Sequence, residues 1–254
     1  MTSERYKTKI IKTDITNSGD KYTVYVLLKF GQEKYLRDFL NRGILYFSSK
    51  QSLRGNINEH SDNYRYDSLE GATLYESHGP GIRTFTISET GEEINIPTRR
   101  IIFQGQPLTI LGNIISFYGI TDKEFTNNEL IQIDPKMKEF GSHFILIYDF
   151  EHFMRRISAA LDKLKLKHSF GKVEYFDEEN HKGELHYYHK RSSLGYQKEF
   201  RIHLERHSTR PFKLKVGNLK EFAVICHSDT LEYLKIKLDR ENQKFNINYL
   251  KPSK

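Results

Sequence analysis

Residues 196–204 read Tyr196-Gln197-Lys198-Glu199-Phe200-Arg201-Ile202-His203-Leu204, and their alternation decides how the rest of the chain is read. Side chains of a β-strand point by turns to opposite faces, so Tyr196, Phe200, Ile202 and Leu204 share one face and bury. Lys198 falls on that apolar face and must snorkel to water or sit at the strand end. Gln197, Glu199, Arg201 and His203 share the other face. A carboxylate flanked by an amide and a guanidinium along one strand face can hold a polar ligand such as a ribose. The same pattern also describes the solvated side of an amphipathic strand, with Glu199 and Arg201 pairing across water.

Working outward, residues 172–176 (KVEYF), 212–216 and 222–226 read as strands, and residues 230–238 as a closing amphipathic helix. Phe150, Phe153, Met154, Ile157, Ala160, Leu161 and Leu164 recur at spacings of three and four, the signature of a helix packed on a sheet. Nearer the N-terminus, residues 22–30 form a β-rich run ending at Gly31. Residues 32–42 follow with helical spacing, and Gly43 stands where a helix C-terminal glycine belongs. Residues 44–48 (ILYFS) make the next strand. Residues 49–81 lose all periodicity and read as one long polar loop, a length that is more often functional than idle. Strand-like pieces return at 83–88, 93–97, 100–104, 109–118 and 143–148. Residues 1–20 read as an arm or edge strand. With no repeat, linker or boundary, the expectation is one α+β domain spanning residues 1–254.

Composition narrows the function classes. The chain has 254 residues, 37% hydrophobic and 13% aromatic, with no Trp, which is too apolar for disorder and enough to form a core. A single cysteine, Cys226, rules out an internal disulfide framework and fits a reducing compartment. No run approaches the roughly 20 apolar residues of a membrane span, and the N-terminus lacks the apolar stretch of a secretory leader. A cytoplasmic protein without membrane association is therefore expected. The net charge is +7, and residues 182–220 carry ten Lys/Arg against three Glu, so this segment holds the whole excess. Such a face attracts phosphates, with Tyr187, Tyr188, His186 and His189 interleaved for stacking, or it is a solvated basic surface.

No phosphate-cradling or dinucleotide glycine motif is present, which leaves kinase, nucleotide-hydrolase and dehydrogenase readings unsupported. His181, His186 and His189 lie close together, but without a Cys pair or a compact zinc spacing. Glu174, Asp177, Glu178 and Glu199 suggest a metal-dependent nuclease. A strand through residues 174–178 would nevertheless turn Asp177 away from both glutamates.

Several segments together carry a resemblance. They are Lys29-Phe30-Gly31, the run Gly43-Ile44-Leu45-Tyr46-Phe47-Ser48-Ser49, a polar loop with Arg54 and Asp67-Ser68-Leu69-Glu70-Gly71, Val173-Glu174-Tyr175, and Tyr196-Gln197-Lys198-Glu199-Phe200-Arg201. Over roughly residues 22–226 the chain resembles bacterial proteins with a late Tyr-x-x-Glu-(Trp/Phe)-Arg motif, several tied to anti-phage defence. These are similar to divergent ADP-ribosyltransferases. The resemblance implies an α+β fold with a split, mostly antiparallel β-sheet and flanking helices, and a site for NAD as substrate. Lys29 stands where the superfamily more usually has Arg or His, Tyr46, Ser48 and Ser49 near its Ser/Tyr position, and Gln197-x-Glu199 at its Gln/Glu-x-Glu element.

In that frame Glu199 stabilises the positive charge that develops as nicotinamide leaves, and Gln197 orients the acceptor. Lys29 and Arg54 are candidates for the pyrophosphate, Tyr64 or Tyr118 for ring stacking, and Asp67 joins the cofactor-binding set. Each has a plainer alternative: an exposed strand end for Lys29, a loop tether to Asp67 or Glu70 for Arg54, half-buried aromatics for Tyr46 and Tyr118. Lys182, Tyr187, Lys190, Arg191 and Arg201 are the candidates for a nucleic-acid acceptor, with single-stranded RNA such as mRNA favoured. The implied role is a toxin of an anti-phage or toxin–antitoxin system, held in check by a cognate antitoxin. The alternatives are an inactive RNA- or partner-binding module of the same fold, and the nuclease.

Overall fold

Strands β1 (Ser3–Lys9), β2 (Asp14–Asn17) and β3 (Asp20–Gly31) lead into helix α1 (Glu33–Arg42). Strand β4 (Ile44–Ser49) and the single-turn helix α2 (Lys50–Leu53) follow, then β5 (Ala72–Thr86), β6 (Glu93–Gln104), β7 (Asn113–Thr121), β8 (Leu130–Ile131) and β9 (His143–Ile147). Helix α3 (Phe150–Lys163) precedes β10 (His168–Lys172), β11 (Glu174–Phe176), β12 (Lys182–Glu184), β13 (His189–Arg191) and β14 (Glu199–Leu204). The chain closes with β15 (Phe212–Lys215), β16 (Ala223–His227), β17 (Lys235–Asp239) and β18 (Lys244–Leu250). This computed structural model describes residues 3–9, 14–17, 20–53, 67–104, 112–124, 130–239 and 244–250. The protein is α+β.

The main sheet runs β10-β14-β7-β3-β9-β16 with every neighbour antiparallel. One edge of β7 is shared: β3 pairs with its end at Tyr118–Thr121, and β4 pairs with its start at Asn113 and Ile114. The sheet divides there, and β15 continues it beyond β4. On one face Leu27, Ile115, Phe117, Phe200, Ile202 and Leu204 meet Leu36, Phe39 and Leu40 of α1 and Phe153, Ile157 and Leu161 of α3. Full burial of such side chains stabilises the fold by about 1.5–3 kcal/mol each. Gly43 ends α1 with φ 61°, and a Cβ there would sit 1.9 Å from the Gly217 carbonyl oxygen. Only glycine satisfies both that left-handed turn and that approach.

Five expectations are corrected. Residues 230–238 are not one helix: Ser228–Tyr233 form a 3-10 turn and β17 follows. The alternation Lys235-Ile236-Lys237-Leu238 is strand-like, and Ile236 is fully buried in a second sheet of order β1-β18-β17-β8. Of the two readings of the N-terminus, arm or edge strand, β1 fits the second, since it is an edge strand of that sheet. The long loop of 49–81 ends at Ala72, where β5 begins a hairpin with β6. Strand β6 also runs straight through the pieces 93–97 and 100–104, and it accepts Pro97 because β5 is its one partner strand among the described residues. The run 172–176 breaks at Val173 into β10 and β11, which belong to different sheets. Finally, the strand of residues 196–204 starts only at Glu199. Residues Ser192–Gln197 form a 3-10 helix, and Lys198 turns the chain with φ 39° and ψ 50°, so Lys198 does not lie on the apolar face.

Candidate functional site

Register fixes which side chains share the face opposite α3. Glu199 lies beside Tyr118 and Leu28, Arg201 beside Ser116, and His203 beside Ile114 and Ser48. This is not a solvated face. Gln197, Glu199, Arg201 and His203 are 2, 8, 2 and 2% exposed, so the reading of an open amphipathic strand fails.

What permits burial is a closed set of charges. Arg201 Nε donates to Glu199 Oε2 at 2.8 Å, while its Nη1 and Nη2 grip Glu70 Oε1 and Oε2 at 3.2 and 2.9 Å. Arg201 Nη1 also donates to the Tyr187 carbonyl at 2.6 Å. From β13, Lys190 Nζ lies 2.5 Å from both Gln197 Oε1 and Glu199 Oε1. The Glu199 backbone N–H donates to the Tyr175 hydroxyl at 2.9 Å. Two motif segments 131 residues apart thus meet through Glu70 and Arg201. The turn before β5 aims Glu70 inward: Asp67 accepts the Leu69 N–H at 3.0 Å and its carbonyl accepts the Glu70 N–H at 2.9 Å.

These contacts set protonation. Burial opposes ionisation of Glu199, yet Lys190 and Arg201 outweigh it and hold the carboxyl well below the usual carboxylate range. Burial likewise works against the Arg201 charge, but Glu70 and Glu199 raise its pKa further. Burial pushes the Glu70 carboxyl up, and the two-point grip of Arg201 works against that push. Removing one member would leave another charged group uncompensated in the interior.

Beyond Arg201 the face becomes aromatic. The rings of Tyr187 and His203 stack with centroids 4.0 Å apart and planes 15° apart. Lys50 Nζ sits 4.0 Å over the Tyr187 ring. Burial, with smaller contributions from Lys50 and Arg201, lowers the His203 pKa to about 3. Burial lowers that of Lys50 to about 8.

Of the expected catalytic pair, Glu199 and Gln197 come together through Lys190. Tyr118 shares the Glu199 row, but its ring enters a separate apolar cluster with Leu28, Phe144 and Ile236. Its buried hydroxyl has no hydrogen-bond partner among the described residues, and burial raises its pKa. Ser48 faces the His203 row. Ser49, one residue on, points the other way and accepts the Ser52 N–H at 3.2 Å. Tyr46 is 49% exposed, opposite Lys213. Asp67 is buried and accepts from Arg191 Nε at 3.1 Å. Arg54 and Tyr64 lie outside the described residues.

Lys29 is a correction. It follows Leu28, which shares the Glu199 row, so Lys29 points to the opposite face of the sheet. There it lies 5.5 Å from the Phe117 ring centroid and donates to the Ser116 carbonyl at 2.7 Å, beside the division of the sheet. The expected nucleic-acid set is corrected too. Lys190 and Arg201 are buried in the charge set, and Arg191 is drawn to Asp67 and Glu178. Lys190 and Arg201 cannot turn to phosphate without stranding buried carboxylates. Lys182 is exposed and Tyr187 is 41% exposed.

Sequence reasoning missed Glu70 and Lys50 as members of the site. Glu70 carried a signal, since it lies in a quoted motif; Lys50 carried none, because only the fold brings α2 to the end of β14. The rings of His186 and His189 pack 3.8 Å apart. Among the described residues no group of three or more His, Cys, Asp or Glu is arranged to hold a metal ion, and no helix is long and apolar enough to cross a membrane. Comparisons with protein-family models, with curated proteins and with solved structures found no match to the chain.

Proposed function

We propose that this protein is an NAD-dependent ADP-ribosyltransferase whose central carboxylate is Glu199. The observation that carries the reading is an ionised carboxylate fixed through both oxygens on a core strand, with Gln197 joined to it by Lys190. In the transfer, the bond between the ribose and nicotinamide breaks and nicotinamide leaves with its electron pair. The acceptor then forms a bond at the same ribose carbon and releases a proton. The ribose passes through an oxocarbenium-like state, which a preorganised anion stabilises without reorganising at the moment of reaction. Glu199 supplies that anion, and Gln197 orients the acceptor. Each Glu199 oxygen keeps a second lone pair for a ribose hydroxyl.

Lys182, Arg210, Lys213, Lys215 and Lys220 are exposed and favour a phosphate-rich acceptor, which we take to be single-stranded RNA. The resemblance supports the remainder of the proposal: a cytoplasmic toxin of a bacterial anti-phage or toxin–antitoxin system, restrained by an antitoxin protein. One observation favours a second reading, an inactive RNA- or partner-binding module. Glu199 is 8% exposed, and Lys190 and Arg201 already take one lone pair on each of its oxygens.

Incubation of the wild type and Glu199→Gln with labelled NAD and bacterial RNA, DNA and protein separates them. The transferase reading expects label on RNA, reduced on the order of 10²-fold or more in the variant. Full activity in Glu199→Gln overturns the site. RNA binding that weakens with salt, with no label in any fraction, establishes the module. RNA cleavage that requires Mg²⁺ points to the nuclease.

A further inference from the structure

The four charges around Arg201 balance: Lys190 and Arg201 against Glu70 and Glu199. Lys50 stands outside that balance. It is 7% exposed, and its Nζ has no hydrogen bond or ion pair among the described residues, only the Tyr187 ring. Next to it His203 is 2% exposed, and both of its ring nitrogens are buried without a hydrogen-bond partner. Folded proteins pair nearly all buried polar groups, because an unsatisfied one costs about 1–3 kcal/mol. His203 is such a group, and with the Lys50 ammonium resting on the ring stacked against it, the pair marks a place where something else completes the bonding.

We propose that Lys50, His203 and Tyr187 form a binding site for a phosphoryl group. The ammonium offers three N–H donors and the neutral imidazole one, which suits an oxyanion with several free oxygens. The one unmatched charge beside the balanced set favours an anion over a neutral ligand. Half-exposed Tyr187 brings one edge of the site to the surface. Gly112 forms the wall. It has φ 115°, and a Cβ there would stand 2.7 Å from His203 Nε2 and 3.1 Å from Lys50 Cε. Its conformation and this closeness both exclude a side chain. Glu70, Glu205 and Arg201 also act electrostatically on Lys50; Glu70 and Arg201 are tied to each other. The inference does not require transfer chemistry at Glu199.

Calorimetric titration of the full chain with inorganic phosphate, ADP and citrate tests it. Phosphate and ADP are expected to bind and citrate to bind more weakly. Equal affinity for phosphate and ADP identifies free phosphate as a sufficient ligand; tighter ADP binding identifies a nucleotide phosphate. Lys50→Met and His203→Phe should each weaken phosphate binding by about tenfold or more. In the wild type the His203 ring resonances should shift on phosphate addition, a readout that does not depend on any variant folding. The proposal is overturned if those resonances stay fixed, if citrate binds as tightly as phosphate, or if a folded Lys50→Met keeps wild-type affinity. Phosphate binding without label transfer from NAD would remove the proposed function and leave this site standing.

Discussion

The two faces of β14 are buried alike and built from opposite chemistry. Phe200, Ile202 and Leu204 on one face are fully buried, with the Phe150 ring edge-on to Phe200 at 5.4 Å between centroids. Glu199, Arg201 and His203 on the other are 8, 2 and 2% exposed. The apolar face gains stability from every contact and tolerates exchanges that keep volume. The charged face gains little net stability, because desolvation offsets the attraction, and it depends on each member being present. A chain selected for stability alone would fill both faces with apolar residues. This chain instead holds a charged set beside His203, whose buried ring nitrogens have no hydrogen-bond partner among the described residues.

That comparison can be broken first by truncation. Arg201→Ala should destabilise the protein by about 3–5 kcal/mol, as much as Phe200→Ala on the other face, measured by urea unfolding. The conservative pair sharpens it. Ile202→Leu should stay below about 1.5 kcal/mol, whereas Arg201→Lys, which keeps the charge but loses the two-point grip on Glu70, should cost at least about 2 kcal/mol. Equal losses for these two would show that the faces respond alike.

A smaller effect belongs to pH. His203 has a folded pKa of about 3, while an unfolded imidazole titrates near about 6.5. The unfolded chain therefore binds the proton more readily. Stability from this ring is complete above about pH 6.5 and declines as pH falls toward 3. From pH 7 to pH 5 the wild type should lose about 2 kcal/mol that His203→Phe does not lose, read from unfolding midpoints at each pH. The smallest effect is expected on the far side of the sheet. Lys29→Met removes the bond to the Ser116 carbonyl and should cost about 1 kcal/mol, with transfer from NAD unchanged. A large loss of activity with intact folding would return Lys29 to the site.

Much of the architecture was legible locally. The spacing of Phe150 to Leu161 required α3, and Gly43 marked the end of α1, because one apolar stripe and one left-handed residue are local properties. The boundary at Lys198 was not legible. Alternation runs unbroken through residues 196–204, and only the left-handed turn of Lys198, held where the Gly119 N–H meets its carbonyl at 2.9 Å, separates Gln197 from the strand. The closing helix was misread because a short turn followed by Lys235-Ile236-Lys237-Leu238 mimics helical spacing. In the candidate site, Gln197 and Glu199 could be named from pattern and resemblance, but the side of the sheet on which Lys29 falls depends on β-register. The fates of Lys190 and Arg201 depend on a partner far away in the chain, Glu70.

The sequence by itself determined the class of the fold, the core face of β14 and the place of Glu199 on its other face, since periodicity and residue chemistry act over a few residues. Tertiary structure alone decided that the polar face is closed, that Glu70 meets Arg201, and that Lys50 lies by the stacked rings of Tyr187 and His203. Those outcomes are long-range because a charge buried by distant strands is stable only if the same strands bring its partner.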